Sequence, residues 1–264
     1  MKRNLIAALS ILVSLTLASC SKFTNGEPVT EQRSVDQPFH NISMYNNVNV
    51  KLEQSSHPRL ELTCPKNLID KVTTEVVGDT LFIKNENNFN WLRSFDYRID
   101  LTVYYDSLRE VNYASIGELK SIDTIRGVYE LQLDTVVEND DTIVNEAYVP
   151  IFYLNINEGC GDIDLTLHCS VVKNNFGNGT SKVTLRGKSA YAEIIMRSYG
   201  VVHAEELNSN FVRVQSHSPN DAYVWARSKL TVWLYSVGNV YYKGEPEIIQ
   251  EAVTGGGKLI PMQE

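Results

Sequence analysis

The stretch "SVGNVYYKG", Ser236 to Gly244, decides how the rest of the chain is read. It holds a Ser-x-Gly turn, a short alternating strand and a second glycine. Related turns recur upstream and downstream at Ser115-Ile116-Gly117, Gly159-Cys160-Gly161, Gly177-Asn178-Gly179, Ser198-Tyr199-Gly200, Ser216-His217-Ser218 and Thr254-Gly255-Gly256. Counted at the third residue of each, the turns from Gly161 onward lie 18, 21, 18, 20 and 18 residues apart. The gap before Gly161 is 44, which reads as two repeats with an insertion. A second series of turns, Gly187, Leu207-Asn208, Arg227-Ser228 and Gly244, falls between them. Each repeat is therefore turn, strand, turn, strand.

The strand faces follow the same period. Val183, Val202, Val224 and Val240 form one apolar row, and Leu185, Ala204, Ala226 and Tyr242 another. Met196, Val214, Leu234 and Ala252 precede the first-series turns, while Glu193, Arg213 and Thr231 are polar. One stripe points in and one out. A period near twenty residues with two strands predicts an all-β chain, a β-solenoid of stacked two-strand coils. Gly117, Gly161, Gly179, Gly200, Gly238 and Gly256 are its expected structural turns. The alternative is an antiparallel β-sandwich with evenly spaced hairpins.

Upstream, "VNVKLEQ", "RLELTC", "TLFIKN", "YRIDLTVYY" and "EVNYAS" alternate as strands. Gly78-Asp79 predicts a hairpin turn, and "PKNLIDKVTTEV" a helical turn or two. This gives an N-terminal β region over 36–112 and repeats over 113–264, in one continuous domain. Leu131 to Pro150 interrupts the repeats with two apolar flanks and an acidic "ENDD". Insertions of this kind map to loops or hairpins on one face.

The start reads as an address. Lys2 and Arg3 precede an apolar run, Leu5 to Leu17, too short to span a membrane as a helix. Leu17-Ala18-Ser19-Cys20 has the form of a bacterial lipobox. Residues 1–19 are expected to be a signal peptide, Cys20 the lipidated residue, and 20–35 a polar tether. Ser21 points to the outer membrane, with the leaflet open. Removal of Lys2 and Arg3 leaves 22 basic against 32 acidic residues, a net of −10, which argues against nucleic-acid partners. Cys64, Cys160 and Cys169 remain, an odd number, and are expected to be buried or free thiols.

No catalytic constellation emerges. Asp162 and Asp164 share a strand face and could hold calcium, but read better as solvated acids beside a turn. His40, His57, His168, His203 and His217 show no metal-ligand spacing. His217 with Ser216 and Ser218 lacks a third catalytic group, and "GGGK" at Gly255 to Lys258 is not a phosphate loop. No cofactor, no metal and no enzymatic activity are expected. Tyr199, Tyr223, Trp225, Trp233, Tyr235 and Tyr241 fall at outward or turn positions and form a candidate ligand surface for a glycan or protein.

The lipobox, "VNVKLEQ…LELTCPKNLIDKVTTEVVGDTLFIKN" and the repeats ending in "NVYYKGEPEI" and a Gly-rich turn resemble the putative autotransporter-adhesin head domain, the GIN domain family. The resemblance covers about Phe39 to Leu259. It implies a β-helical fold similar to pectin lyases, tight turns, no retained catalytic residues and a role in adhesion. Ser216-His217-Ser218 departs from the family's Gly-centred turn. The expected function is thus a non-catalytic, lipid-anchored cell-envelope adhesin or binding module. The alternatives are a carbohydrate-binding or lyase-like protein, and a periplasmic structural factor. Self-association is expected if the open end of the stack is not capped, and "IPMQE" at the C-terminus could serve as the cap.

Overall fold

The computed structural model describes residues 25–87, 97–138 and 141–263, with side chains of 133–145 left aside. The expected signal peptide, Cys20 and residues 21–24 lie outside the described residues, as does the centre of "ENDD". The rest of the expected tether is not a free linker, because Pro28–Ser34 forms a strand paired with Arg59–Pro65. The described chain is all-β, an eighteen-stranded network. The strands are β1 (Pro28–Ser34), β2 (Asn41–Asn46), β3 (Asn49–Gln54), β4 (Arg59–Pro65), β5 (Val72–Val77), β6 (Thr80–Asn85), β7 (Asp100–Tyr105), β8 (Glu110–Ser115) and β9 (Leu119–Ile125). They continue as β10 (Val128–Glu138), β11 (Asp141–Gly159), β12 (Ile163–Phe176), β13 (Lys182–Met196), β14 (Val201–Ser216), β15 (Ala222–Leu234), β16 (Val240–Lys243), β17 (Glu247–Val253) and β18 (Leu259–Pro261).

The pairing from β2 onward is mostly parallel and follows the sequence period. Ile163 pairs with Val183, Val183 with Val202, Val202 with Ala222, Ala222 with Val240 and Val240 with Leu259. All but Leu259 are buried, and Leu259 packs against the core from its edge. Antiparallel hairpins pair neighbours in sequence, so this parallel stack excludes the antiparallel sandwich.

Each long strand serves two faces because it bends. In β12, Leu165, Leu167 and Cys169 are buried, and then Val172, Asn174 and Phe176. The alternation slips by one residue between Cys169 and Val172, which marks a corner. Small residues line its inside: Cys169, Ser189, Ser209 and Ala226 stand in register on successive rungs. The Ser189 and Ser209 hydroxyls satisfy each other at 2.6 Å. Such corners need small side chains because two faces converge there.

One face runs β2, β8, β11 and then the C-terminal halves of β12 to β15, ending on β17. The other runs β3, β9, the N-terminal halves of β12 to β15, β16 and β18. At the N-terminal end the β5–β6 hairpin covers β2, and β1, β4 and β7 cover β3. β6 and β7 pair parallel with β2 and β3, and the antiparallel strands outside them complete the cover, hiding edges that would otherwise be open for pairing.

Four expectations change here. The span of 44 residues between Gly117 and Gly161 holds one rung, not two. Gly159 pairs directly with Ser115, and β9 pairs with β12. The surplus is the β10–β11 hairpin, Val128 opposite Ile151 at its base, which leaves the stack and returns. The row of Val183 and Val202 continues through Ala222, not Val224. Between Ala204 and Asn208 the β14 strand bulges relative to β15, which shifts the register. The helical reading of "PKNLIDKVTTEV" shrinks to one 3-10 turn at Ile69–Lys71, after which β5 takes over. Finally, the stack does not begin at 113. Asn46 pairs with Ser115 and takes φ 66°, so Asn46-Asn47-Val48 is an earlier turn of the same column. Asparagine tolerates that left-handed conformation, which is why the turn was not legible as a glycine motif.

The Gly78-Asp79 hairpin forms as read, with Val77 opposite Thr80 and Gly78 at φ 63°. The turns stack by close backbone approach. A Cβ on Gly117 would lie 2.0 Å from the Val48 carbonyl oxygen, and one on Gly179 2.1 Å from that of Gly159. Turn serines add bonds between rungs: the Ser198 hydroxyl donates to the Gly179 carbonyl at 2.8 Å and accepts from the Gly179 N–H at 2.9 Å. Gly256 is not a tight position. A Cβ there would meet only Val237 Cγ1 at 3.5 Å, whereas Gly255 and Gly257 carry the close contacts.

Cys64, Cys160 and Cys169 are free. Burial pushes the Cys64 thiol up to about 11 and the Cys169 thiol up to about 12, so both stay protonated near neutrality. Cys160 is exposed in a turn, and Cys169 is inside a corner. In the folded chain a maleimide should therefore modify Cys160 and spare Cys64 and Cys169. Peptide mass spectrometry reads this directly, and equal labelling of Cys169 would contradict the corner geometry.

Candidate functional site

The outward positions of the N-terminal strand halves carry a column of rings. Thr184 pairs with His203, His203 with Tyr223 and Tyr223 with Tyr241. The His203 and Tyr223 rings stack at 4.7 Å with 3° between planes, and Tyr223 and Tyr241 at 4.9 Å with 11°. The separations equal the spacing between paired strands, so the rings stack because the backbone does. Aromatic pairs at such separations contribute about 0.5–1.5 kcal/mol per pair beyond burial. Partial burial comes first in raising the Tyr223 hydroxyl above its usual value, with Asp221 adding to it. Glu205 accepts from His203 Nδ1 at 3.0 Å and fixes the ring at the end of the column. Two residues further along the strands, on the same face, Lys243 lies 6.0 Å from the centre of Trp225.

Three of the six aromatics read from the sequence, Tyr223, Trp225 and Tyr241, thus share this face. The other three do not join them. Trp233 lies on the opposite face with the Arg213 guanidinium 4.6 Å from its ring centre. Tyr235 stacks on His217 at 4.4 Å along the turn column. Tyr199 stands exposed in its own turn, its carbonyl accepting from Asn220. The split is a consequence of the corner: positions before and after it face opposite ways. His203 belongs to the column and was missed, although the steps of 20 residues from His203 to Tyr223 and 18 from Tyr223 to Tyr241 match the repeat.

The candidate ionic positions are occupied by structure. Asp164 pairs with Arg186, and Arg186 bonds Glu206 at 3.0 Å, a ladder across three rungs. Asp162 caps the strand column through its carbonyl, which accepts from Leu119 N–H. His217 is a stacking partner whose Nε2 lies 3.2 Å from Gln215 Nε2. Among the described residues no cluster of three or more His, Cys, Asp or Glu side chains is arranged to hold a metal ion.

Residues 38–246 match the family described as "Putative auto-transporter adhesin, head GIN domain". The chain belongs to this family. Solved structures share the fold of this GIN-domain chain at low identity. One, described as a putative adhesin from Bacteroides fragilis NCTC 9343, is 19% identical with a TM-score of 0.74 and covers 90% of this chain and 99% of its own. A second, a putative lipid binding protein from Parabacteroides distasonis ATCC 8503, is 18% identical, TM-score 0.58, over 90% and 98% of the two chains. A third, a putative adhesin from Parabacteroides merdae ATCC 43184, is 16% identical, TM-score 0.56, over 91% and 98%. No curated protein matches the chain.

Proposed function

We propose that this GIN-domain chain is a non-catalytic, lipid-anchored envelope protein, and that its stacked strands form a β-solenoid displaying a binding face. Parallel pairing at near-twenty-residue steps supports the solenoid. The lipobox at Cys20 supports the anchor, and the family's adhesin description supports adhesion at the cell envelope. The observation that carries the reading is the outward ring column His203–Tyr223–Tyr241 beside Trp225. Stacked rings that keep polar edges in water offer flat apolar area with little entropy to lose, which suits a sugar face or a peptide side chain.

A glycan array with the full chain and its Tyr223→Ala/Tyr241→Ala variant tests the binding half. At least one glycan should bind the native chain about tenfold or more tightly than the variant, a loss near 1.4 kcal/mol. Unchanged binding by the variant would remove the column as the site. Protease applied to intact cells tests display. A chain fully protected until the outer membrane is opened would rule out direct adhesion and leave a periplasmic role.

A further inference from the structure

The corner between the two faces holds a groove of about 540 Å³ whose charge opposes that of the chain. The protein carries 32 acidic against 24 basic residues, yet among the described residues no carboxylate lines this groove, while Arg126, Lys188, Arg227 and His168 do. The repeat puts them there in order. His168 pairs with Lys188 and Lys188 with Asn208 on successive rungs. Arg126 follows Ile125, which pairs with Leu167, and Arg227 follows Ala226, which pairs with Ser209. From Arg126 to Arg227 the row crosses four strand spacings, roughly 19 Å. Among the described residues, none of the three Arg and Lys side chains has an ion-pair partner. The inserted hairpin forms a wall with Tyr129, 68% exposed, and Pro150 opposite it.

We propose that this groove binds an acidic polysaccharide lying along the stack. Cations spread in a line do not converge on one phosphate or one carboxylate. They suit a chain that presents an anionic group at each sugar or every second one, because a pyranose is about as long as one strand spacing. Asn208 and Asn210 supply hydrogen bonds for hydroxyls, and the Tyr129 ring supplies a stacking wall. Nucleic acid fits less well, since successive bases need a series of stacking rings and Tyr129 is the one large aromatic side chain among the described lining residues. This explains the insertion: the hairpin adds a wall to a corner that the repeat alone would leave open. The inference rests on the reading of the chain as a binding module, but uses different residues from the ring column.

The test is binding of alginate, with dextran as the neutral control and a single-stranded oligonucleotide as the non-sugar polyanion. The full chain is compared with Lys188→Gln/Arg227→Gln, Tyr129→Ala and Tyr223→Ala/Tyr241→Ala. The native chain should bind alginate and not dextran, more weakly as salt rises. The double charge variant should lose tenfold or more and Tyr129→Ala several-fold, with circular dichroism and melting unchanged. The ring-column variant should keep alginate binding. No alginate binding by the native chain overturns the groove proposal and leaves the column untouched. Equal binding by the charge variant also overturns it. Oligonucleotide binding as tight as alginate binding would overturn the assignment to a glycan.

Discussion

Gly187→Ala is expected to lower stability by on the order of 3–5 kcal/mol. Gly187 sits at the corner of β13 with φ +106°, and a Cβ there would lie 2.0 Å from the Leu167 carbonyl oxygen of the preceding rung. Two costs therefore add. The backbone conformation is one an alanine adopts at about 1–3 kcal/mol, and the clash is with backbone that cannot rotate away. Relief requires opening the pairing of Leu167 with Gly187, inside the long parallel ladder of β12 with β13. The melting temperature should fall by roughly 10 °C for a chain of this size. Gly256→Ala is the matched control. It has ordinary φ and only a 3.5 Å contact with a valine methyl, so the change should stay within about 0.5 kcal/mol. Thermal melts of the two variants side by side check the claim, and equal melting temperatures would refute it.

Phe176→Ala should cost a similar amount, about 3–5 kcal/mol, through a cavity inside the stack. Phe176 is 1% exposed and lies one residue before the Gly177 turn. Its ring packs on the next rung: a Cβ on Gly200 would lie 1.9 Å from the ring's Cε1. The two positions are therefore coupled, and the double variant distinguishes this packing from a general loss of hydrophobic area. In the Phe176→Ala background the ring no longer blocks Gly200→Ala, which should cost less there than in the native chain. The Ser181 carbonyl, 2.7 Å from the same Cβ, keeps the relief partial. Additive costs would show that the two rungs do not interlock at this point.

Both predictions depend on contacts between rungs about twenty residues apart, and this is where legibility in the sequence ends. The turn period and the inward stripe are local properties. A strand that buries one side must alternate, and a chain that reverses where two backbones meet must place glycine or a small residue there. Val183, Val202 and Val240 could thus be aligned from their spacing alone. Ala222 could not, because the bulge between Ala204 and Asn208 changes the count without leaving a mark in composition. The same holds for the 44-residue gap, since hairpin strands and rung strands alternate alike. The six aromatics were visible as outward residues, but outward positions obey no packing rule that says which face they join. The corner decided that.

What the amino-acid order determined by itself is the all-β character, the rung length and the turn positions from Gly159 on. These depend on neighbours along the chain, where the two-residue pleat and the needs of a turn act directly. Only the tertiary structure decided that Asn46 begins the column of turns, that His203 completes the ring stack, and that Arg126, His168, Lys188 and Arg227 share one groove. Those facts depend on register between strands far apart in sequence, and register is set by bulges, corners and an inserted hairpin acting together.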